Sequence, residues 1–139
     1  MYGIVRQSLA VTGAFCLVSF AGGRAFGDAP KGQALYTAYC SACHQPGGEG
    51  TPGAFPPLKG SGVVTKDDAT KHIHVVLDGL QGGKAGGVAY ALAMPPFAAV
   101  LSDAEIADII DYERSSWGNH GKPVTAAQVA AERAPSKKP

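Results

Sequence analysis

The stretch Cys40-Ser41-Ala42-Cys43-His44 decides how the rest of this chain is read. Two thiols stand three residues apart, and an imidazole follows the second directly. A redox dithiol also reads CxxC, but it follows a strand in a βαβ setting, and no strand pattern precedes residue 40. A zinc site needs four ligands, usually from a second CxxC or a histidine pair. His72 and His74 are the candidates for that pair, and two residues apart on a helix they point in different directions. A structural disulfide uses the two cysteines and leaves His44 unexplained. The reading that uses all three residues is covalent haem. The thiols add to the two vinyl groups as thioethers, and the adjacent histidine is held under the iron as proximal ligand.

The cysteine count supports this. The chain has three cysteines, and the third, Cys16, lies in an apolar stretch of 13 residues, LAVTGAFCLVSFA (residues 9–21), preceded by Arg6. That length suits the core of a secretory leader and falls short of the roughly 20 residues that span a bilayer. Ala25-Phe26-Gly27 fits the small-x-small cleavage rule, so residues 1–27 are expected to be a signal peptide, with an uncleaved membrane anchor as the alternative. Phe15 before Cys16 excludes a lipobox. Only Cys40 and Cys43 then remain, too few for a disulfide framework in an oxidising compartment.

Charge points away from nucleic acid. The whole chain carries a formal charge of +1, and loss of Arg6 and Arg24 with the leader brings it near −1. The sole basic run is Lys137-Lys138, so no face suited to phosphate contact is expected. A near-neutral body docks its partners through a local patch.

Outward from the motif, helical spacing recurs. Ala29-Pro30 opens a first helix through Leu35, Tyr36, Tyr39 and Cys40, with CxxCH at its end. Residues 46–62 are dense in glycine and proline and read as a loop. A second helix is expected from Lys66 to Asp78, capped by Asp67 or Asp68, with the stripe Ile73, Val76, Leu77, Leu80 and a stop at Gly79. Residues 81–88 are again glycine-rich. The third helix opens on the capping box Ser102-Asp103-Ala104-Glu105, places Ile106, Ile109, Ile110 and Glu113 on one side, and can end at Gly118. Thr125-Ala126-Ala127-Gln128 caps a short helix to about Arg133, and residues 134–139 read as disordered. With no strand pair visible, the expected class is all-α, with three main helices and long Gly/Pro-rich loops. Helices this short bury little by themselves, and a large, flat, apolar cofactor would supply the missing core.

The sixth iron position separates a carrier from a catalyst or sensor. Apart from Met1, Met94 is the chain's only methionine, and Pro95 and Pro96 force it into an extended or turn conformation. A thioether ligand stabilises ferrous iron and raises the potential. The plainer alternative is a gap-filling core methionine, and His72, His74 and His120 are competing ligands. The carbonyl of Pro56 is placed to accept the His44 Nδ1 proton, a bond that fixes the tautomer and ring plane, or else the loop is merely stiff. Tyr90 can reach Met94 or a haem propionate, or pack with its hydroxyl at the surface.

Over residues 29–118 the chain resembles class I cytochromes c. The matching features are Gly32 and Tyr36, Cys40 to His44, Pro56-x-Leu58, Met94-Pro95 and a last helix with Tyr112. The resemblance implies the helical cytochrome c fold with the first and last helices crossing at Gly32. It also implies Met94 as distal ligand and electron transfer through an exposed haem edge; Pro56, Leu58 and Tyr90 are the further residues expected to contact the haem. The ending, from Met94-Pro95-Pro96-Phe97 to Tyr112-x-Arg114-x-x-Trp117-Gly118-Asn119 and on to Pro123, Val124, Thr125 and Val129, is similar to cytochrome c subunits that accompany bacterial periplasmic dehydrogenases. With only one CxxCH, such a chain must hand its electron to another protein. The expected organisation is a leader (1–27), a cytochrome c domain (28–120) and an extension with a short helix (121–139). The implied function is a periplasmic monohaem carrier with one haem c, a dehydrogenase as donor and an oxidase or cytochrome as acceptor, no nucleic acid, and peripheral membrane contact at most unless the leader is kept. A fixed subunit of a larger oxidoreductase and a haem sensor or enzyme with an open sixth site are the rivals.

Overall fold

The structure, a computed structural model, describes residues 29–133; the expected leader and the last six residues lie outside the described residues. The chain runs α1 (Ala29–Tyr39), α2 (Ser41–His44), α3 (Gly62–Thr65), α4 (Thr70–Asp78), β1 (Gly83–Ala85), β2 (Val88–Tyr90), α5 (Asp103–Ser115) and α6 (Ala126–Arg133). Helix α5 is the hub and touches α1, α3, α4 and α6. Its Ile106, Ile109 and Ile110 are fully enclosed, together with Tyr36 of α1, Ile73 and Leu77 of α4 and Val129 of α6.

Helices α1 and α5 cross at Gly32, where a Cβ would run into the Asp108 carbonyl and come within 3.0 Å of Tyr112 Cβ. The crossing is fastened by Lys31–Asp108 at 2.7 Å and by an aromatic cluster, with Tyr36 5.3 Å from Tyr112 and 5.1 Å from Trp117 between ring centroids. Such tilted pairs add to the area they bury.

Five expectations need correction. The fold is not purely helical, because β1 and β2 form a two-stranded antiparallel hairpin with Ala85 opposite Val88. Its two-residue turn is Gly86-Gly87, both with positive φ (56° and 82°), the conformation that matches the strand twist. The signal was present, but the strands are only three residues long and carry no apolar alternation. CxxCH does not continue the first helix, since the chain turns at Cys40 and forms the separate α2. Helix α4 starts at Thr70, because Asp68 Oδ1 accepts the Thr70 N–H (2.9 Å) in a turn before the helix, while Asp67 pairs with Lys122. Helix α5 ends at Ser115, short of Gly118. The short α3 falls partly in the stretch expected to be loop, with the Ser61 hydroxyl accepting the Val63 N–H.

Two capping motifs are present. At α5 the Ser102 hydroxyl accepts the Glu105 N–H and the Glu105 carboxylate accepts the Ser102 N–H. At α6 Thr125 and Gln128 make the same exchange. Helix α6 lies on α4 and α5, with His74 bonded to Asp78 (3.0 Å) and Glu132 (2.9 Å), and Arg133 bonded to Asp103 and to the carbonyls of Ala98 and Leu101.

Ser102→Ala should lower stability by about 1 kcal/mol, the usual cost of losing such a cap, which thermal or denaturant unfolding would measure. A second outcome concerns pH. The Asp78 carboxylate, then Glu132, raises the His74 pKa above its ordinary 6.5. The bridge therefore stabilises the fold fully below the ordinary value, and that contribution is lost as pH rises through the raised one. Amide exchange in α6, corrected for intrinsic rates, should speed up over that interval, and His74→Gln should remove the change. An unchanged pH response in the variant would show that His74 does not hold α6.

Candidate haem site

A cavity of about 300 Å³ opens between α2, α4, α5 and the loops that follow α2 and β2. Its walls include Cys40, Cys43, His44, Pro56, Leu58, Tyr90 and Met94. The structure thus brings together the seven residues expected to hold or contact a haem, and of the competing histidines only His72 joins them.

The attachment turn is built by α2. Its last residue, His44, is buried, and its Nδ1 lies 2.9 Å from the Pro56 carbonyl oxygen. A carbonyl only accepts, so Nδ1 carries the proton and the Nε2 lone pair is the one free to bind a metal. Gln45 stops α2 in the left-handed region at φ 65°, and its carbonyl accepts the Tyr36 hydroxyl at 2.6 Å. Cys40 and Cys43 are not joined in a disulfide. Burial, then the Glu113 carboxylate, pushes the Cys40 thiol well up and keeps it protonated; the same two causes raise Tyr36.

Met94 is placed by the end of α4. The last carbonyls of a helix lack partners inside it. Here Val76 O accepts the Phe97 N–H (3.0 Å) and Leu77 O accepts the Ala98 N–H (3.1 Å). Leu80 and Met94 exchange both backbone hydrogen bonds, at 3.0 and 2.9 Å. Between these anchors stand Pro95 and Pro96, which have no N–H to satisfy. Gly79, at φ 70°, closes α4 and leaves room for the strap, since a Cβ there would strike the Met94 carbonyl. The result is a thioether side chain on a short braced span that lines the cavity.

Two residues quoted only for resemblance prove to frame the site. Arg114 is fully buried, and it donates from Nε to Lys122 O (2.6 Å), from Nη1 to Val64 O (2.7 Å) and from Nη2 to Lys66 O (2.6 Å). Asn119 donates from Nδ2 to Leu58 O (3.2 Å) and Glu113 O (2.8 Å), while its Oδ1 accepts the Gly60 N–H (2.8 Å). Together they strap the loop carrying Leu58, and α3 behind it, to the end of α5. Trp117 Nε1 reaches Pro46 O at 3.2 Å and closes the motif's loop from the other side.

Of the remaining histidines, His72 is buried against Glu113 at 2.8 Å in the cavity wall, while His74 faces α6 and His120 is exposed. His72 and His74 do diverge, and among the described residues no three His, Cys, Asp or Glu side chains converge on a metal position. The remaining donor set fits a haem. Two thiols sit on one turn, an imidazole has its far nitrogen fixed, and a thioether enters the same largely apolar cavity. Among the described residues no helix is long and apolar enough to cross a membrane.

Comparison with known proteins agrees. The family described as Cytochrome c matches residues 29–117. Cytochrome c-552 of Thermus thermophilus is 39% identical over 122 residues, which cover 81% of this chain and 80% of that protein. The cytochrome c subunit of the quinone alcohol dehydrogenase of Gluconobacter oxydans is 37% identical over 101 residues, 73% of this chain. The gluconate 2-dehydrogenase cytochrome c subunit of Pantoea cypripedii is 37% identical over 108 residues, 76% of this chain. The chain spans 21% and 24% of the lengths of those two dehydrogenase subunits. The chain belongs to the cytochrome c family, as a class I member with covalently bound haem c.

Proposed function

We propose that this chain is a periplasmic electron carrier in which Cys40 and Cys43 hold the haem, and His44 and Met94 are the two iron ligands. The observation that carries this reading is the convergence of those four side chains on one cavity, with His44 Nδ1 already engaged by Pro56. When bound, the haem supplies a one-electron couple and no substrate chemistry. The chain's part is to hold and tune it. Pro56 fixes the imidazole plane and raises its basicity. Met94 favours the ferrous state, and its strap to α4 keeps that ligand in place. Leu58 and Tyr90 shield the ring from water, which also favours the less charged ferrous form.

The names of the dehydrogenase subunits support a dehydrogenase as donor, and the apolar stretch after Arg6 supports export. A terminal oxidase or a second cytochrome is the proposed acceptor. The likeness to cytochrome c-552 along most of both chains supports a carrier in preference to a fixed subunit of a larger oxidoreductase.

The test is a spectrum and a potential of protein matured with c-haem assembly. Wild type should show the long-wavelength methionine-to-ferric band. Met94→Ala should lose it, bind carbon monoxide rapidly when ferrous, and fall in potential by on the order of 0.1 V, a fraction of the about 0.8 V over which axial ligands spread haem potentials. A wild type lacking the band and binding carbon monoxide would favour the sensor or enzyme with an open sixth site.

A further inference from the structure

The cavity wall holds one polar interaction that haem attachment and ligation do not use. Glu113, in the last turn of α5, faces His72, in the first turn of α4. Glu113 Oε2 and His72 Nε2 are 2.8 Å apart, and the side chains are only 4% and 3% exposed. Glu113 continues the side of α5 formed by Ile106, Ile109 and Ile110, where an aliphatic residue would simply extend the core. Both residues line the same cavity as His44 and Met94. The second ring nitrogen of His72, Nδ1, is enclosed and has no hydrogen-bond partner among the described residues.

The surroundings offer the pair little compensation. Tyr36 of α1 and Cys40, in the turn between α1 and α2, feel the Glu113 charge and bring none of their own, and from α2 the facing group is His44. On α4 the neighbours are Lys71, exposed at the cavity rim, and Asp68 ahead of the helix, bonded to Thr70. On α5, Asp111 accepts the Val124 N–H and Arg114 is turned to three carbonyls. Helix α3 has no titratable residue, and Lys66 beside it is exposed. The hairpin brings Lys84, exposed at the rim, and Tyr90.

A buried carboxylate needs a partner charge or a proton. With a neutral imidazole the pair carries one negative charge, and with one further proton it carries none. A haem iron held by His44 in this cavity would change by one unit of charge between its two states. A unit charge on the order of 10 Å away, at an effective dielectric near 20, alters proton affinity by roughly tenfold.

We propose that Glu113 and His72 form a proton-binding site coupled to the redox state of the haem. The pair balances ferric iron with its negative charge and binds one proton from solvent when the iron is reduced. One electron arrives from the donor protein and one proton from water. On reoxidation the electron leaves to the acceptor and the proton returns to solvent, and no bond other than that N–H or O–H changes. The chain would then move a proton with its electron. This rests on the His44/Met94 reading of the cavity.

The experiment is a redox titration of the holoprotein across neutral pH, on wild type, Glu113→Gln and the control His74→Gln. Wild type and the control should show a potential that falls as pH rises. Glu113→Gln, which keeps the shape and a hydrogen bond to His72, should lose that slope. A pH-independent wild-type potential, or a slope retained in Glu113→Gln, would overturn the proposal and in the second case assign the proton to another group such as a propionate. Should Glu113→Gln fail to fold, the reduced-minus-oxidised infrared spectrum of wild type decides. Carboxyl or imidazole protonation signals are expected there, and their absence overturns the proposal. The methionine-to-ferric band, recorded on the same samples, shows separately whether the ligation stands.

Discussion

The crossing of α1 over α5 at Gly32 is the constraint from which the rest of the structure follows. With only hydrogen at that position, the two helices meet backbone to side-chain base, and any Cβ would drive Asp108 and Tyr112 away. Helix α1 leads at once into the attachment turn, and α5 supplies Ile109 and Glu113 to the far wall. The closeness of the crossing therefore sets how far Cys40 and His44 stand from the surface a haem would rest against. Tyr36 serves both ends of this arrangement, stacking on Tyr112 and Trp117 while its hydroxyl fixes the Gln45 carbonyl just past His44.

The second half of the cavity is organised by different physics. Helix α4 ends with carbonyls that need donors, and the strap bearing Met94 supplies them from Phe97 and Ala98. The two prolines between Met94 and Phe97 do not compete for those bonds, because they have no N–H, and their fixed φ keeps the strap extended. Met94 is thus positioned by helix α4 and not by any element of its own. Since α4 is pinned to α5 through His72 and Glu113 and to α6 through His74 and Glu132, the strap that carries Met94 is held by contacts well away from its sulfur.

Much of this was legible because the relevant signals are local. The Ser102-to-Glu105 box, the Thr125–Gln128 box and the double proline after Met94 each state a backbone requirement within a few residues and appear as expected, while CxxCH lines the expected cavity on a helical turn of its own. The hairpin was missed because its strands are too short and too polar to show a period of two, leaving Gly86-Gly87 as the only cue. Asp68 was read as a helix cap because an acidic residue before an apolar stripe usually is one; here it makes a turn one step earlier. The larger gap was Arg114, Asn119 and the His72–Glu113 pair. Apart from the carbonyls of Lys122 and Glu113, their partners lie 41 to 61 residues away, and no local pattern reports a side chain whose purpose is to satisfy distant carbonyls. The one available hint was Glu113 itself, an acid standing on an otherwise apolar helix side.

That acid is informative because of what its neighbour does. Arg114 follows Glu113 directly and is also buried, so the two would make an obvious ion pair if both pointed the same way. Consecutive helical residues diverge by about 100°, and the structure spends the arginine elsewhere. Its three nitrogens donate to the carbonyls of Lys122, Val64 and Lys66, and the charges it feels are chiefly those of Asp111 and Asp67. Burial lowers the Arg114 pKa, yet a guanidinium is not neutralised in a protein, so this cation is a fixed structural charge. Among the described residues the Glu113 side chain has a single hydrogen bond, from a ring whose other nitrogen has no partner. A carboxylate so placed needs a partner charge or a proton, which ties the protonation of this wall to the charge that the cavity would hold.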